Sequence, residues 1–169
     1  VSVNVSAVQF RQCDLVQIVA EALAQTGLPP WCLDLEITET VLMQDADATI
    51  ATLLGLKAMG VSISVDDFGT GYSSLAYLRR FPIDTLKIDK SFMRDVIRDG
   101  HNAAIVRTVI ALAKNLDLES IAEGVETDEQ VKFLRAEGCD RLQGYFFSKP
   151  LPADALLEFV RRAGRLLPA

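Results

Sequence analysis

Histidine and cysteine are nearly missing from this chain: its 169 residues hold one histidine, His101, and three cysteines, Cys13, Cys32 and Cys139. The cysteines are odd in number, far apart and without a Cys-x-x-Cys pair, which argues against a disulfide framework and offers no zinc-ligand spacing. A reducing compartment, the cytoplasm, is therefore expected. Long apolar runs are missing too. None approaches the roughly 20 residues that a membrane helix needs, so no direct membrane insertion is expected, a parent protein tethered to the inner membrane being compatible with this. Positive charge is in deficit, with 17 Lys and Arg against 23 Asp and Glu and a formal net charge of −6. That balance argues against a broad grip on polymeric nucleic acid, which relies on clustered cations releasing counterions. A phosphate ligand would have to be met by metal ions or by a few local cations.

What the chain does have is apolar residues, half of the total, enough to bury the core of one domain. They alternate. Val1, Val3 and Val5 oppose Ser2, Asn4 and Ser6; Leu33, Leu35 and Ile37 oppose Asp34, Glu36 and Thr38; Val61, Ile63 and Val65 oppose Ser62, Ser64 and Asp66. Leu86 and Ile88 oppose Thr85, Lys87 and Asp89. This period of two predicts strands with one polar face. A fifth, weaker strand is expected near 120–124 and a sixth around 141–146. Val1 lies inside the first strand, so the chain is expected to be cut from something longer.

Helical spacing fills the intervals. Leu15, Ile18, Val19, Ala22 and Leu23 recur on one face up to Gly27, and a second helix carries Ile50, Leu53 and Leu54 up to Gly60. A short helical piece is expected around 75–78. The clearest helix places Ile105, Val109, Leu112 and Leu116 on its apolar face. Thr127 and Gln130 predict a capping box, with the helix ending at Gly138, and a closing helix is expected over 153–162. Six strand-helix units at intervals of about 30 residues fit the step of a TIM-type (β/α)8 barrel, incomplete here by two units. A doubly wound open sheet is the alternative, but it calls for strands apolar on both faces.

At the end of the third strand stands Asp66-Asp67-Phe68-Gly69-Thr70-Gly71-Tyr72-Ser73-Ser74-Leu75. Two adjacent carboxylates repel, and a cation relieves the repulsion most easily where the chain bends to bring them together. Alone, such a turn is more often just a solvated acidic loop. Its company changes the reading, because Asn4, Glu36, Asp66, Asp67, Lys87, Glu123 and Gln143 all fall at the same end of six consecutive strands. Carboxylate and amide oxygens without His or Cys suit Mg²⁺ or Mn²⁺. Two such ions about 3.5–4 Å apart can serve a phosphodiester hydrolysis. Lys87 could hold the attacking water, and Glu123 could be a base or a water-bound ligand.

The residues Asn4 in V-N-V-S, Glu36 and Glu39 in E-I-T-E-T, the D-D-F-G-T-G-Y-S-S-L stretch, Lys87 in K-I-D-K-S-F, Glu123 and Glu126 in A-E-G-V-E-T and Gln143 in Q-G-Y-F-F-S-K-P resemble the EAL family of cyclic dimeric GMP phosphodiesterases. The resemblance spans nearly the whole chain. It implies a barrel that opens cyclic dimeric GMP to linear pGpG with Mg²⁺ or Mn²⁺. One metal would be held at Asn4, Glu36 and Asp66, and a second at Asp66 and Asp67. Lys87 would contact the catalytic water, Glu123 would be the base or a water-mediated ligand, and Gln143 would lie near the water. Glu39 would steady the loop of Gly69, Thr70 and Gly71, while Glu126 and Pro150 would support substrate or loop, Pro150 near a guanine. The resemblance also implies a homodimer, and sensory or GGDEF-type domains flanking this one in the parent chain. The Glu-Ala-Leu motif that names the family is absent and is expected on a strand upstream of Val1, with a metal-binding glutamate and a substrate-holding arginine. Residues 1–169 are thus expected to be an N-terminally truncated phosphodiesterase domain, weak or inactive alone. A catalytically silent cyclic dimeric GMP receptor or interaction scaffold is the competing reading, and a barrel acting on another phosphoester a third.

Other residues read as structural. His101 is expected at a helix start, Arg79 and Arg80 at a solvated helix end, Trp31 in loop packing, and Cys13 and Cys139 as small buried groups. One of Phe146 and Phe147 is expected to face the core.

Overall fold

The structure, a computed structural model, describes residues 1–71 and 75–163; Tyr72, Ser73 and Ser74 of the glycine-loop motif lie outside the described residues. Six strands form one sheet in chain order, every neighbouring pair parallel: β1 (Ser2–Val5), β2 (Asp34–Thr38), β3 (Ser62–Phe68), β4 (Thr85–Ile88), β5 (Glu119–Ala122) and β6 (Arg141–Leu142). The helices between them are α1 (Ala7–Gln12), α2 (Leu15–Thr26), α3 (Glu39–Leu42), α4 (Ala46–Ala58), α5 (Leu75–Leu78), α6 (Lys90–Met93), α7 (Gly100–Asn115) and α8 (Asp128–Glu137), and α9 (Ala153–Ala163) follows β6. Sequential parallel strands joined by helices are the pattern of a (β/α) barrel. Here β1 and β6 do not pair with each other, so the sheet is open, as an incomplete barrel requires.

The alternation read from sequence is what packs. Leu35 and Ile37 of β2 and Ile63 and Val65 of β3 are buried, as are Leu86 and Ile88 of β4, and they form one core with Leu53, Leu56, Val106, Ile110 and Leu134 from the helices. Helix ends follow local chemistry. The Asp14 carboxylate accepts the Gln17 N–H at the start of α2, and Gly27 ends that helix at φ 67°, a conformation that costs glycine little. Thr127 and Gln130 do form the capping box of α8. Carboxylates also staple the N-terminal ends of the strands. Asp34 accepts from the Ser2 and Ser64 hydroxyls, Asp84 from the Ile63 N–H, and Asp140 from the Ser120 N–H and hydroxyl.

Several expectations need correction. Of the face expected for α7, Val109 is buried and Leu112 and Leu116 pack against the core, but Ile105 lies at the exposed edge; the most buried side adds Ala103, Val106, Ile110 and Ala113, because the sheet takes the side rich in small and β-branched residues. β6 has two residues, the chain turning away at Gly144. Trp31 is 76% exposed, and Cys13 is exposed as well. Phe146 and Phe147 are both exposed and pack edge-on against each other at 5.2 Å. His101 does sit at a helix start, its N–H donating to Asp99. Among the described residues, no helix is long and apolar enough to cross a membrane.

Candidate active site

The adjacent carboxylates owe their placement to a break in the sheet. In the β3–β4 pairing Val65 stands opposite Leu86 and Phe68 opposite Ile88, so that both Asp66 and Asp67 fall against Lys87. Two residues facing one make a bulge, which bends the strand and suspends the alternation that would send neighbours to opposite faces. Asp67 takes φ 54°, and its N–H donates to Asp66 Oδ1 at 3.0 Å. The Thr70 N–H and hydroxyl both donate back to the Asp67 carbonyl.

Behind this turn stands Glu39, the first residue of α3, 2% exposed. Its Oε2 accepts the Gly69 N–H at 2.9 Å. A Cβ at position 71 would come 2.9 Å from Glu39 Oε1, so Gly71 is required by the close approach of the carboxylate. Glu39 and the glycine loop are thus one packed unit.

Lys87, in the middle of β4, is 2% exposed, and its Nζ is the point on which acids from β2, β3 and the loop just after β5 converge. It lies 2.7 Å from Glu36 Oε2, 3.1 Å from Asp66 Oδ1 and 2.8 Å from Glu123 Oε1. Burial works to lower the lysine pKa, but hydrogen bonds with Glu123 and Glu36, and then Asp66, outweigh it and hold the ammonium charged well above the ordinary lysine range. Glu123 is pushed up by burial and by the charges of Asp66 and Glu36, which the single ammonium offsets only in part. Asp67 is likewise raised by burial and by Asp66 and Asp89. Asp89, which burial would raise, is held low by hydrogen bonds from Ser91 and Asp67.

Three carboxylates around one ammonium leave two negative charges uncompensated in a half-dry site. That excess and the all-oxygen donor set fit a hard divalent cation such as Mg²⁺ or Mn²⁺. Asn4, another oxygen donor, is the register partner of Glu36 on the adjoining strand. Among the described residues no group of His, Cys, Asp and Glu already forms a metal cage, since the carboxylates turn toward Lys87 instead.

Not every candidate joins this cluster. Asn4 is exposed on edge strand β1. Glu126 and Pro150 are exposed in the loops after β5 and β6, and the exposed Gln143 is held through its backbone, its N–H donating to the Ala122 carbonyl. Sequence reasoning left out Asp89, which shares a hydrogen bond with Asp67. The signal was available, because Asp89 follows Lys87 by two residues and continues its face.

Comparison with known proteins gives a consistent picture. Residues 1–150 match the family described as EAL domain. The chain is 50% identical over 161 residues to the cyclic di-GMP phosphodiesterase NbdA of Pseudomonas aeruginosa, a match covering 95% of this chain and 21% of NbdA. A structure of the MucR phosphodiesterase in complex with c-di-GMP is 50% identical and superposes with a TM-score of 0.89, covering 92% of this chain and 63% of that one. The manganese and cyclic di-GMP complex of Klebsiella pneumoniae BlrP1 is 34% identical with a TM-score of 0.80, covering 88% and 38%. The chain spans about a fifth of the length of the curated relatives NbdA and MucR.

Proposed function

Since the chain belongs to the EAL domain family, we propose that it forms the greater part of a metal-dependent phosphodiesterase domain that opens cyclic dimeric GMP to linear pGpG in second-messenger signalling. The observation that carries this reading is the buried Lys87 ammonium with Glu36, Asp66 and Glu123 converging on it at one end of the sheet. Asn4, Glu36 and Asp66 would hold one Mg²⁺ or Mn²⁺, and Asp66 with Asp67 a second. Such ions supply Lewis acidity toward the phosphodiester and lower the pKa of water. Lys87 donates a hydrogen bond that orients the attacking water. Glu123, with its raised pKa, takes the water's proton as the new P–O bond forms; the ribose oxygen leaves as the old bond breaks and is protonated from solvent. The manganese and calcium complexes of BlrP1 support the choice of a divalent ion. Gln143 would reach the water and Pro150 a guanine once substrate is seated, with Glu126 supporting the loop.

The open sheet is completed by two further strand-helix units in the full-length protein, which also carries sensory or GGDEF-type domains, forms a homodimer and acts in the cytoplasm. The length of the relatives supports the flanking domains. Incubation of the full-length protein with cyclic dimeric GMP tests the function. Chromatography should show pGpG with Mg²⁺ or Mn²⁺ and none after chelation. Tight nucleotide binding without product in either metal would replace this reading with that of a silent receptor.

Glu39 supplies a separate check. Glu39→Ala removes the acceptor for the Gly69 N–H, at a cost of about 1–3 kcal/mol. It should weaken Mn²⁺ binding on the order of tenfold or more without unfolding the protein. Calorimetric titration returning the wild-type metal affinity would show that the loop needs no such support.

A further inference from the structure

Gln130, the third residue of α8, is a buried polar residue at 6% exposure, and its amide makes more bonds than a helix cap needs. The capping box accounts for one of them, the Thr127 N–H donating to Gln130 Oε1 at 3.0 Å. Oε1 also accepts the Glu126 N–H at 2.7 Å, and Nε2 donates to the Met93 carbonyl at 2.8 Å, 37 residues away in the chain. The amide therefore ties the loop between β5 and α8 to the end of α6. Both segments lead straight out of the site: Lys87 lies on β4, two residues before the Asp89 that caps α6, and Glu123 opens the loop.

The loop is clamped at two flanks. Toward β6 the backbone does the holding, through Val125 N–H to the Gln143 carbonyl at 3.0 Å. Toward α6 the loop lies so close that a Cβ on Gly124 would meet Lys90 Cβ at 2.6 Å, and the side-chain bond that crosses this contact is that of Gln130 to Met93. Glu123 sits where the clamp begins, its N–H on the Ile88 carbonyl at 3.2 Å and its Oε1 2.8 Å from Lys87 Nζ. We infer that Gln130 is a positioning residue for the Lys87–Glu123 ion pair, acting by fixing the β5–α8 loop against α6; its kinetic consequence rests on the phosphodiesterase reading above.

Gln130→Met keeps the side chain's length and removes all three bonds. Thr127→Ala removes the hydroxyl that caps α8 and leaves the tether to Met93 in place. Both should lower Tm, Gln130→Met by more because it leaves three bonding partners unsatisfied. In crystal structures of the full-length variants, Gln130→Met should open the Nζ–Oε1 separation beyond about 4 Å, the limit of an ion pair, while Thr127→Ala keeps it closed. Gln130→Met should lose kcat on the order of a hundredfold, as for a group displaced by about 1 Å, with KM within about twofold. Should Gln130→Met fail to fold, Gln130→Asn, too short to reach both partners, takes its place in the same comparison. An unchanged ion pair in the Gln130 variant, or an ion pair opened and kcat lost equally in Thr127→Ala, overturns the inference. Absence of hydrolysis in the wild type would instead overturn the phosphodiesterase reading, and the crystallographic separation would still decide the role of Gln130.

Discussion

Replacing Lys87 with methionine should destabilise the metal-free protein by about 3–5 kcal/mol, the cost of removing one partner from a buried ionic cluster. Methionine fits the space, so the loss comes from charge: Glu36, Asp66 and Glu123 would face one another with no cation between them. The pH dependence identifies the cause. Glu123 is already raised by burial, and without the ammonium, which holds it down, its folded-state pKa rises further above the unfolded value. A carboxyl shifted that way destabilises the fold where it is ionised, and the loss is relieved as pH falls through the raised value. The deficit of the variant should therefore shrink as pH falls from neutrality through the raised value. In the wild type the raised lysine contributes stability that is complete below the unfolded pKa and lost only as pH rises through the higher folded one, so its share is constant across that range. Urea unfolding measures both proteins. A deficit below about 1 kcal/mol, as for an exposed pair, or one that does not change with pH, would mean that the cluster is not held by its lysine. Added Mn²⁺ should restore part of the loss, because the carboxylates freed from Lys87 can turn to the ion.

Asp66→Asn should have the largest effect on turnover. The asparagine keeps the shape, and its Oδ1 still accepts the Asp67 N–H, so folding should change little. What disappears is the charge on the carboxylate that both metal positions share in the proposed arrangement. Loss of such a ligand should lower kcat on the order of a thousandfold. Lys87→Ala should also lower kcat by orders of magnitude, while nucleotide binding survives better than chemistry, since in the proposed arrangement Lys87 addresses the water and not the bases. Near-normal hydrolysis by both variants in saturating Mg²⁺ would contradict the mechanism.

Much of the site was legible because a strand's period of two is a strong constraint. Alternation alone set Asn4, Glu36, Asp66 and Lys87 on the face away from the helices, and the structure then joins three of these four. The bulge that turns Asp67 the same way as Asp66 leaves no trace in hydrophobic pattern, since it depends on the pairing of β3 with β4. Three short helices escaped notice for different reasons, among them α6, whose signal was the Asp89 carboxylate that accepts the Ser91 N–H. α1 carries a readable Ser6–Gln9 capping box, while α3 is one turn with no side-chain cap, fixed by the burial of Glu39, Val41 and Leu42. The face of α7 was placed somewhat too far toward Ile105, because Ala103 and Ala113 count little as apolar signals and much as small residues against a sheet. The exposure of Val3, Phe146 and Phe147 accompanies the open sheet edges, which the count of six units in place of eight already implied, although no single strand's pattern marks it as an edge.

Hydrolysis in ¹⁸O-labelled water tests the central claim most directly. The full-length protein, given cyclic dimeric GMP and Mg²⁺, should release pGpG carrying one labelled oxygen on its 5′-phosphate, with no release by Asp66→Asn. Nucleotide that stays bound and returns unlabelled and still cyclic, with Mg²⁺ and Mn²⁺ each at saturation, would contradict the account and make the Lys87 cluster part of a receptor.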